Sequence, residues 1–215
     1  MNEEKIIENA KNYAREMFKN ESSAHDFWHT IRVYNNAKLI SKNEKCNQFI
    51  VELCALLHDV DDSKLFEEKL EKNYNAKKFM IENKINPVTI EYVCNIINKI
   101  SYKSEEAEKM DNIEGKIVQD ADRLDAIGAI GIARTFDFGG NKNREIHNPE
   151  IPPKQYLTKK EYKNNNAPTI NHFYEKLLKL KELMNTKSGK EIAQHRHEYM
   201  EKFLKEFLEE WDGKR

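Results

Sequence analysis

Three short stretches of the sequence place histidine or aspartate residues within or at the end of an apolar helical pattern. The first contains His25 and His29, which are four residues apart and can therefore share one face of a helix. The second is the His58-Asp59 pair, at the end of the most hydrophobic segment. The third contains Asp122, within Asp-Ala-Asp-Arg-Leu-Asp. Imidazoles and carboxylates grouped in this way are typical ligands of a divalent metal ion.

This candidate ligand set indicates both a class of metal and a class of reaction. Unpaired carboxylates beside an apolar core are costly, and a divalent cation offsets that cost. Neighbouring helical residues project about 100° apart, near the angle between adjacent ligands of an octahedral ion, so His58 and Asp59 can bind one metal. Mixed nitrogen and oxygen ligands suit Mn²⁺, Fe²⁺, Co²⁺, Ni²⁺ or Zn²⁺, whereas Mg²⁺ prefers oxygen. Such a metal activates water and neutralises phosphate charge, which predicts hydrolysis of a phosphate ester or phosphoanhydride.

The order of His29, His58-Asp59 and Asp122 resembles the H…HD…D signature of the HD superfamily of metal-dependent phosphohydrolases. The chain is similar to a group of small bacterial HD-domain proteins from about residue 25 to residue 213. The most specific block is VQDADRLDAIGAIGIARTF, residues 118–136. The other resembling segments are 25–33, 57–64, 136–140, 171–180 and 193–211.

The resemblance implies an all-α HD-domain helical bundle in which His29, His58, Asp59 and Asp122 bind the metal. Asp120 and Asp125 are the alternatives to Asp122. Binuclear members of the superfamily have two further histidines between the HD pair and the last aspartate, and here no histidine occurs between His58 and Asp122. We therefore expect one divalent ion, preferably Mn²⁺, with Mg²⁺, Fe²⁺, Co²⁺, Ni²⁺ and Zn²⁺ as alternatives.

The resemblance also suggests roles in catalysis and substrate binding. Asp62 lies three residues after Asp59, where the similar guanosine-tetraphosphate hydrolases carry an acid that assists the attacking water. We expect Asp62 to act as general base or to position the water, and Asp59 to act with it through the metal. Asp61 is expected to be exposed. Because developing phosphoryl charge needs preorganised cations, the candidate substrate contacts are Arg32, Lys64, Arg123 and Arg134. Asp125 is a candidate either to orient a ligand histidine or to contact the sugar, and His25 is a candidate for either a site or a structural role.

Helices must position these residues. Only seven glycines and five prolines occur, and apolar residues at three-and-four spacing predict helices. The exception is 137–168, which holds four of the prolines and is interpreted as a long irregular insertion before two C-terminal helices. We predict a single domain over 1–215. Its parts are a metal-binding core of about 20–136, the 137–168 insertion and C-terminal helices over 169–212.

Composition excludes several classes of partner. The 36 basic and 37 acidic residues give a net charge of −1, which disfavours nucleic-acid binding. Three cysteines without metal-type spacing favour a reducing, cytoplasmic location. No apolar run approaches the roughly 18 residues of a membrane span, so no membrane partner is expected. The apolar Phe203, Phe207 and Trp211 of the last helix suit either the core or a homodimer interface.

The favoured hypothesis is a nucleotide pyrophosphohydrolase that converts nucleoside or deoxynucleoside triphosphates to the monophosphate and pyrophosphate. Within the same chemistry, the alternatives are a nucleotide phosphatase and an alarmone or phosphodiester hydrolase. The alternative from another class is a non-catalytic module that binds metal or nucleotide. Packing is the default role for His147, His172, His195 and His197, which lie in the insertion and the C-terminal helices.

Overall fold

The computed structural model describes residues 2–19, 26–62, 71–100, 110–155 and 166–215. The chain forms two compact units, Met1–Asp122 and Arg123–Arg215. Within the described ranges the regular elements are all helices and no strand occurs, which confirms the predicted all-α class.

The first unit holds α1 (Glu3–Met17), α2 (Phe27–Ser41), α3 (Gln48–Leu57), α4 (Tyr74–Glu82), α5 (Pro87–Ile100) and all but the last turn of α6 (Ile113–Asp125). The second unit holds α7 (Gly128–Asn141), α8 (Asn171–Glu175), a 3₁₀ helix (Leu177–Leu183) and α9 (Lys187–Trp211). No helix in the described part of the chain has both the length and the apolar character needed to cross a membrane.

Helix α3 is the central helix of the first unit and packs against α1, α2 and α5. Its Leu53, Leu56 and Leu57 have no exposed surface, and burying each leucine stabilises the fold by roughly 1.5–3 kcal/mol. The helix ends at Leu57, with His58 as its C-cap. The candidate ligands His58 and Asp59 are therefore attached to the most firmly packed helix of this unit.

Local capping explains where three helices begin. The Asp26 side chain accepts a hydrogen bond from the backbone N–H of His29 at 2.7 Å, and α2 begins at the next residue, Phe27. Asn86 precedes Pro87 and accepts from Thr89 N at 2.9 Å, so α5 begins with proline in its first position. Thr186 caps α9 in the same way. Aspartate, asparagine and threonine are all residue types that favour the N-cap position.

Helix α7 extends beyond residue 137, the predicted start of the insertion, so that boundary is wrong. The helix continues through Asp137 and ends at Asn141, so the irregular segment begins later than expected. A Cβ at Gly139 would lie 2.2 Å from Oγ1 of Thr169, so glycine allows the helix to approach this residue closely. Beyond the helix, Thr169 N donates to Glu145 O at 2.8 Å. Residues 156–165 of the predicted insertion lie outside the described residues.

Aromatic side chains connect the helices of the second unit. The Phe136 ring of α7 lies 6.0–6.4 Å from those of Phe173, Phe203 and Phe207, measured between centroids. The Trp211 side chain at the end of α9 stacks on Phe207 and remains 48% exposed. The C-terminal aromatics therefore belong partly to the core of their own unit, and the homodimer remains a prediction.

Candidate metal centre

Four predicted ligands lie together in the first unit. One ligand atom from each of His29, His58 and Asp59 lies within 4.8 Å of the others. The Oδ2 atom of Asp59 is 3.3 Å from Nε2 of His58 and 3.6 Å from Nε2 of His29. The Asp122 carboxylate is not one of these three mutually close ligands but borders them, with Oδ1 at 3.5 Å from Nε2 of His29. The structure therefore brings two imidazoles and two carboxylates to one place.

Three helices supply these side chains. His29 is in the first turn of α2, where the Asp26 cap fixes its backbone N–H. Asp122 comes from α6, and a buried hydrogen bond from Asn36 Nδ2 of α2 to Ala121 O, 3.3 Å long, holds these two helices together beside the ligands. His58 and Asp59 come from the end of α3, which packs against α2.

The hydrogen bonding of His58 defines which of its ring nitrogens can bind a metal. Nδ1 lies 2.9 Å from the backbone carbonyl of Ala55, and because a carbonyl only accepts, Nδ1 carries the proton. Nε2 is buried, and its approach to Asp59 lacks the geometry of a hydrogen bond. Metal-binding histidines typically donate one ring N–H to a backbone carbonyl and direct the other nitrogen to the metal.

The electrostatics of the centre favour a cation. Burial of the His58 imidazole opposes its protonation, but the Asp59 carboxylate, with a smaller contribution from Asp122, outweighs burial and raises the pKa of His58 to about 9. The raised pKa reflects a negative local potential, which also attracts a divalent ion. The donor set of two nitrogens and two carboxylates fits Mn²⁺, Fe²⁺, Co²⁺, Ni²⁺ or Zn²⁺.

Asp62 and Arg32 lie close to the ligands along the chain. Asp62 is 5% exposed, and its backbone N–H donates to Asp59 O at 3.0 Å, so both residues belong to one tight turn. Arg32 is half-buried and lies one helical turn after His29, on the same side of α2. His25 and Lys64, the other predicted substrate contacts near the metal, lie outside the described residues.

The predicted substrate-contact residues of the second unit form hydrogen bonds within that unit. Asp125 is 1% exposed, and its Oδ2 accepts from Nη1 of Arg134 at 2.7 Å. The same Nη1 donates to the backbone carbonyl of Asp125 at 3.0 Å. Arg123 donates to the carbonyl of Leu183. The structure gives these residues packing roles, and their contact with substrate stays a prediction.

His172 and His147 of the second unit pack against other side chains of that unit. His172 is half-buried, and burial, with the positive charges of Lys176 and Arg144, lowers its pKa to about 3. His147 packs edge-on against Trp211, with ring centroids 4.9 Å apart. These surroundings agree with the default packing roles.

Sequence reasoning missed the role of Asp61. The residue is half-buried, and its two carboxylate oxygens accept from the backbone N–H groups of Asn75 and Ala76 at 2.8 and 3.0 Å. The expectation that Asp61 is exposed is therefore wrong. The bonds join residues that are 14 and 15 positions apart, and no local sequence signal indicates such a pairing.

Comparisons with known proteins agree with this geometry. The family model of the HD domain matches residues 27–127, a range that contains all four candidate ligands. The Bacillus subtilis protein YpgQ is 36% identical over 218 aligned residues, which cover 99% of this chain and 97% of YpgQ.

Solved structures show the same relationship. An HD-superfamily hydrolase from Bacillus thuringiensis is 41% identical, with a TM-score of 0.80 and coverage of 98% of this chain and 99% of that one. The crystal structure of Bacillus subtilis YpgQ in complex with ADP is 34% identical, with a TM-score of 0.77 and coverage of 98% and 96%. Because these similarities extend over nearly the whole length of each protein, the chain belongs to the HD superfamily of metal-dependent phosphohydrolases.

Proposed function

We propose that the protein is a nucleotide pyrophosphohydrolase that uses one divalent metal ion. It would convert a nucleoside or deoxynucleoside triphosphate and water to the monophosphate and pyrophosphate. The main support is the convergence of His29, His58, Asp59 and Asp122, whose ligand atoms approach to 3.3–3.6 Å. Asp62 lies in the same turn as Asp59, which is a metal ligand in this proposal.

The four ligands hold the metal in this proposal. When bound, a divalent ion lowers the pKa of coordinated water and neutralises phosphate charge. The mixed nitrogen and oxygen donors favour Mn²⁺ over Mg²⁺. The hydrogen bond from His58 Nδ1 to Ala55 O fixes the imidazole in the tautomer that can bind.

Asp62 and Arg32 act on water and substrate. Asp62 accepts the proton of the attacking water or orients that water, because it is a carboxylate held one turn beyond a metal ligand. Arg32 provides a guanidinium on the same side of α2 as His29, and guanidinium groups bind phosphate oxygens in a bidentate manner. His25 and Lys64 are further proposed contacts on the same two segments.

A nucleotide substrate is supported by the relatives. YpgQ, which is similar to this chain over almost its whole length, has been crystallised with ADP. A diphosphate in the related protein is consistent with a site that accepts polyphosphate chains. We further propose that the protein acts in the cytoplasm, where its three free thiols would remain reduced.

Product analysis tests the proposed reaction. Each of the common nucleoside and deoxynucleoside triphosphates would be incubated with Mn²⁺ in ¹⁸O-labelled water, with an EDTA sample as the blank. Pyrophosphate and orthophosphate would be quantified separately, and the label would be located by mass spectrometry. We expect metal-dependent pyrophosphate, with the label in the monophosphate, because water then attacks the α-phosphorus.

Other results would identify another activity. Label in pyrophosphate would show attack at the β-phosphorus, and orthophosphate as the only phosphate product would indicate a phosphatase. No product from any nucleotide, together with measurable nucleotide binding, would indicate a non-catalytic module.

A further inference from the structure

Helix α4 receives its N-terminal cap from another part of the chain. Its N-cap residue, Asn73, is in the left-handed region at φ 60° and makes no capping bond with its side chain. The second and third helical residues, Asn75 and Ala76, donate their backbone N–H groups to the two carboxylate oxygens of Asp61. These N–H groups have no partner within their own helix, and the positive end of the helix dipole favours a carboxylate there.

A third hydrogen bond joins the same two segments. The buried side-chain amide of Asn75 donates from Nδ2 to the backbone carbonyl of Val60 at 3.2 Å. The backbone carbonyl of Asn75 accepts a hydrogen bond from the hydroxyl of Tyr13 at 3.3 Å, so α1 supports the same residue. Three hydrogen bonds thus join residues 60 and 61 to the first turn of α4.

The turn held in this way carries one metal ligand, Asp59, and the proposed general base, Asp62. Asp59 immediately precedes Val60, and Asp62 immediately follows Asp61. Within the turn, Asp62 N donates to Asp59 O at 3.0 Å and Val60 N donates to Leu57 O at 3.4 Å. A shift of residues 60 and 61 would therefore move both the ligand and the proposed general base.

We propose that Asp61 and Asn75 are positioning residues that hold Asp59 and Asp62 in place for metal binding and catalysis. We call the Asp61 and Asn75 pair the clamp, and its role rests on the proposed function of the centre. Neither residue needs to touch the metal or the substrate. Asp61 acts through its two backbone hydrogen bonds, and Asn75 acts through its amide. Groups that orient metal ligands typically change metal affinity or activity by about 10- to 100-fold when removed.

The test compares three clamp variants with a matched capping variant. The clamp variants are Asp61→Ala, Asp61→Asn, which keeps one acceptor oxygen, and Asn75→Ala. The control is Asn86→Ala, because Asn86 also caps a helix of this unit, through the bond that its side chain accepts from Thr89 N. Mn²⁺ affinity would be measured without nucleotide, from the electron paramagnetic resonance signal of free Mn²⁺. Tm and kcat at saturating Mn²⁺ would be measured in parallel.

We expect Asp61→Ala to weaken Mn²⁺ binding by about 10- to 100-fold, with a smaller loss in Asp61→Asn and Asn75→Ala. We expect Asn86→Ala to lower Tm without changing Mn²⁺ affinity. Wild-type Mn²⁺ affinity and kcat in the clamp variants, with a fall in Tm like that of Asn86→Ala, would show simple capping and overturn the proposal. If Asp61→Ala does not fold, Asp61→Asn and Asn75→Ala decide the question.

The Mn²⁺ measurement separates this proposal from the proposed reaction. A wild-type protein that binds Mn²⁺ but releases no pyrophosphate would refute the reaction, and the relative affinities of the clamp variants would still support or overturn the clamp.

Discussion

The buried ion pair between Arg134 and Asp125 provides a prediction that separates a packing role from a substrate contact. Nη1 of Arg134 is 2.7 Å from Oδ2 of Asp125, and the Asp125 side chain is 1% exposed. In Arg134→Met the carboxylate would keep its buried position and lose this hydrogen-bonded cation, while the Arg196 guanidinium, which also interacts electrostatically with Asp125, remains. Removing one partner of a buried ion pair is strongly destabilising.

The magnitude follows from the burial of the pair. Removing one partner of a buried pair costs about 3–5 kcal/mol. The Arg134 side chain is 21% exposed, so water can reach part of the vacated space, and we expect the lower value, about 3 kcal/mol. In a protein of this size each 1 kcal/mol lowers Tm by about 2–4 °C, which predicts a fall of about 6–12 °C.

Urea unfolding followed by circular dichroism measures this effect. The control is Arg215→Met, because Arg215 also lies 2.7 Å from a carboxylate oxygen of Glu206, with both side chains about half exposed, and 2.9 Å from one of Glu209, whose side chain is 28% exposed. Such an exposed pair contributes at most about 1 kcal/mol. The double variant Arg134→Met/Asp125→Asn should be more stable than the sum of the two single changes predicts, because it removes the buried charge together with its partner.

A KM measurement on the same variants identifies the alternative role. If Arg134→Met keeps the wild-type free energy of unfolding and raises KM for the nucleotide, the packing role is refuted. Arg134 would then be the substrate contact that the sequence predicts.

The remaining predictions concern the metal, its ligands and pH. Asp122→Asn should weaken Mn²⁺ binding by at least about tenfold, because losing a ligand should lower metal affinity at least as much as losing a group that orients a ligand. The control Asp111→Asn, at an exposed acid of the same unit, should bind Mn²⁺ with wild-type affinity. Equal affinities of the two variants would contradict the assignment of Asp122 as a ligand. EDTA should abolish pyrophosphate release and added Mn²⁺ should restore it, since the ligands remain in place; activity that persists in EDTA would refute metal dependence. His172 has a pKa of about 3 when folded, against 6.5 ordinarily, so unfolding takes up a proton and the free energy of unfolding should fall by about 2 kcal/mol between pH 7 and pH 5 from this residue. Urea unfolding of His172→Gln should show that much less pH dependence, and an unchanged slope would contradict the burial argument.

Much of the site was predictable because its signals are local. His29 and the His58-Asp59 pair stand within or at the end of strongly apolar helices, so their types and spacing indicated a shared centre before any fold was known. The Asp26 cap is equally local, since its side chain accepts from the backbone N–H of His29, three residues away. Asp122 was harder to distinguish from Asp125, and the proximity of Asp122 to His29 and the pairing of Asp125 with Arg134 now favour the former.

The features that sequence reasoning missed depend on contacts between distant residues. The end of α7 could not be predicted because Gly139 packs against Thr169, which is 30 positions further along the chain. Asp61 is predicted to be a surface acid because the backbone groups that bind its carboxylate lie 14 and 15 positions away. Its partners, Asn75 and Ala76, become neighbours only when α4 folds back to the turn.

Pyrophosphate release by Asp59→Ala tests the central claim most directly. Wild type, Asp59→Ala and the exposed-acid control Asp111→Ala would be compared at equal concentration of folded protein with Mn²⁺ and a triphosphate substrate. Asp59 lies within 3.6 Å of both ligand histidines, so its loss should reduce pyrophosphate to the level of the EDTA blank, while Asp111→Ala keeps wild-type activity. Full activity of Asp59→Ala would contradict the assignment of the metal centre.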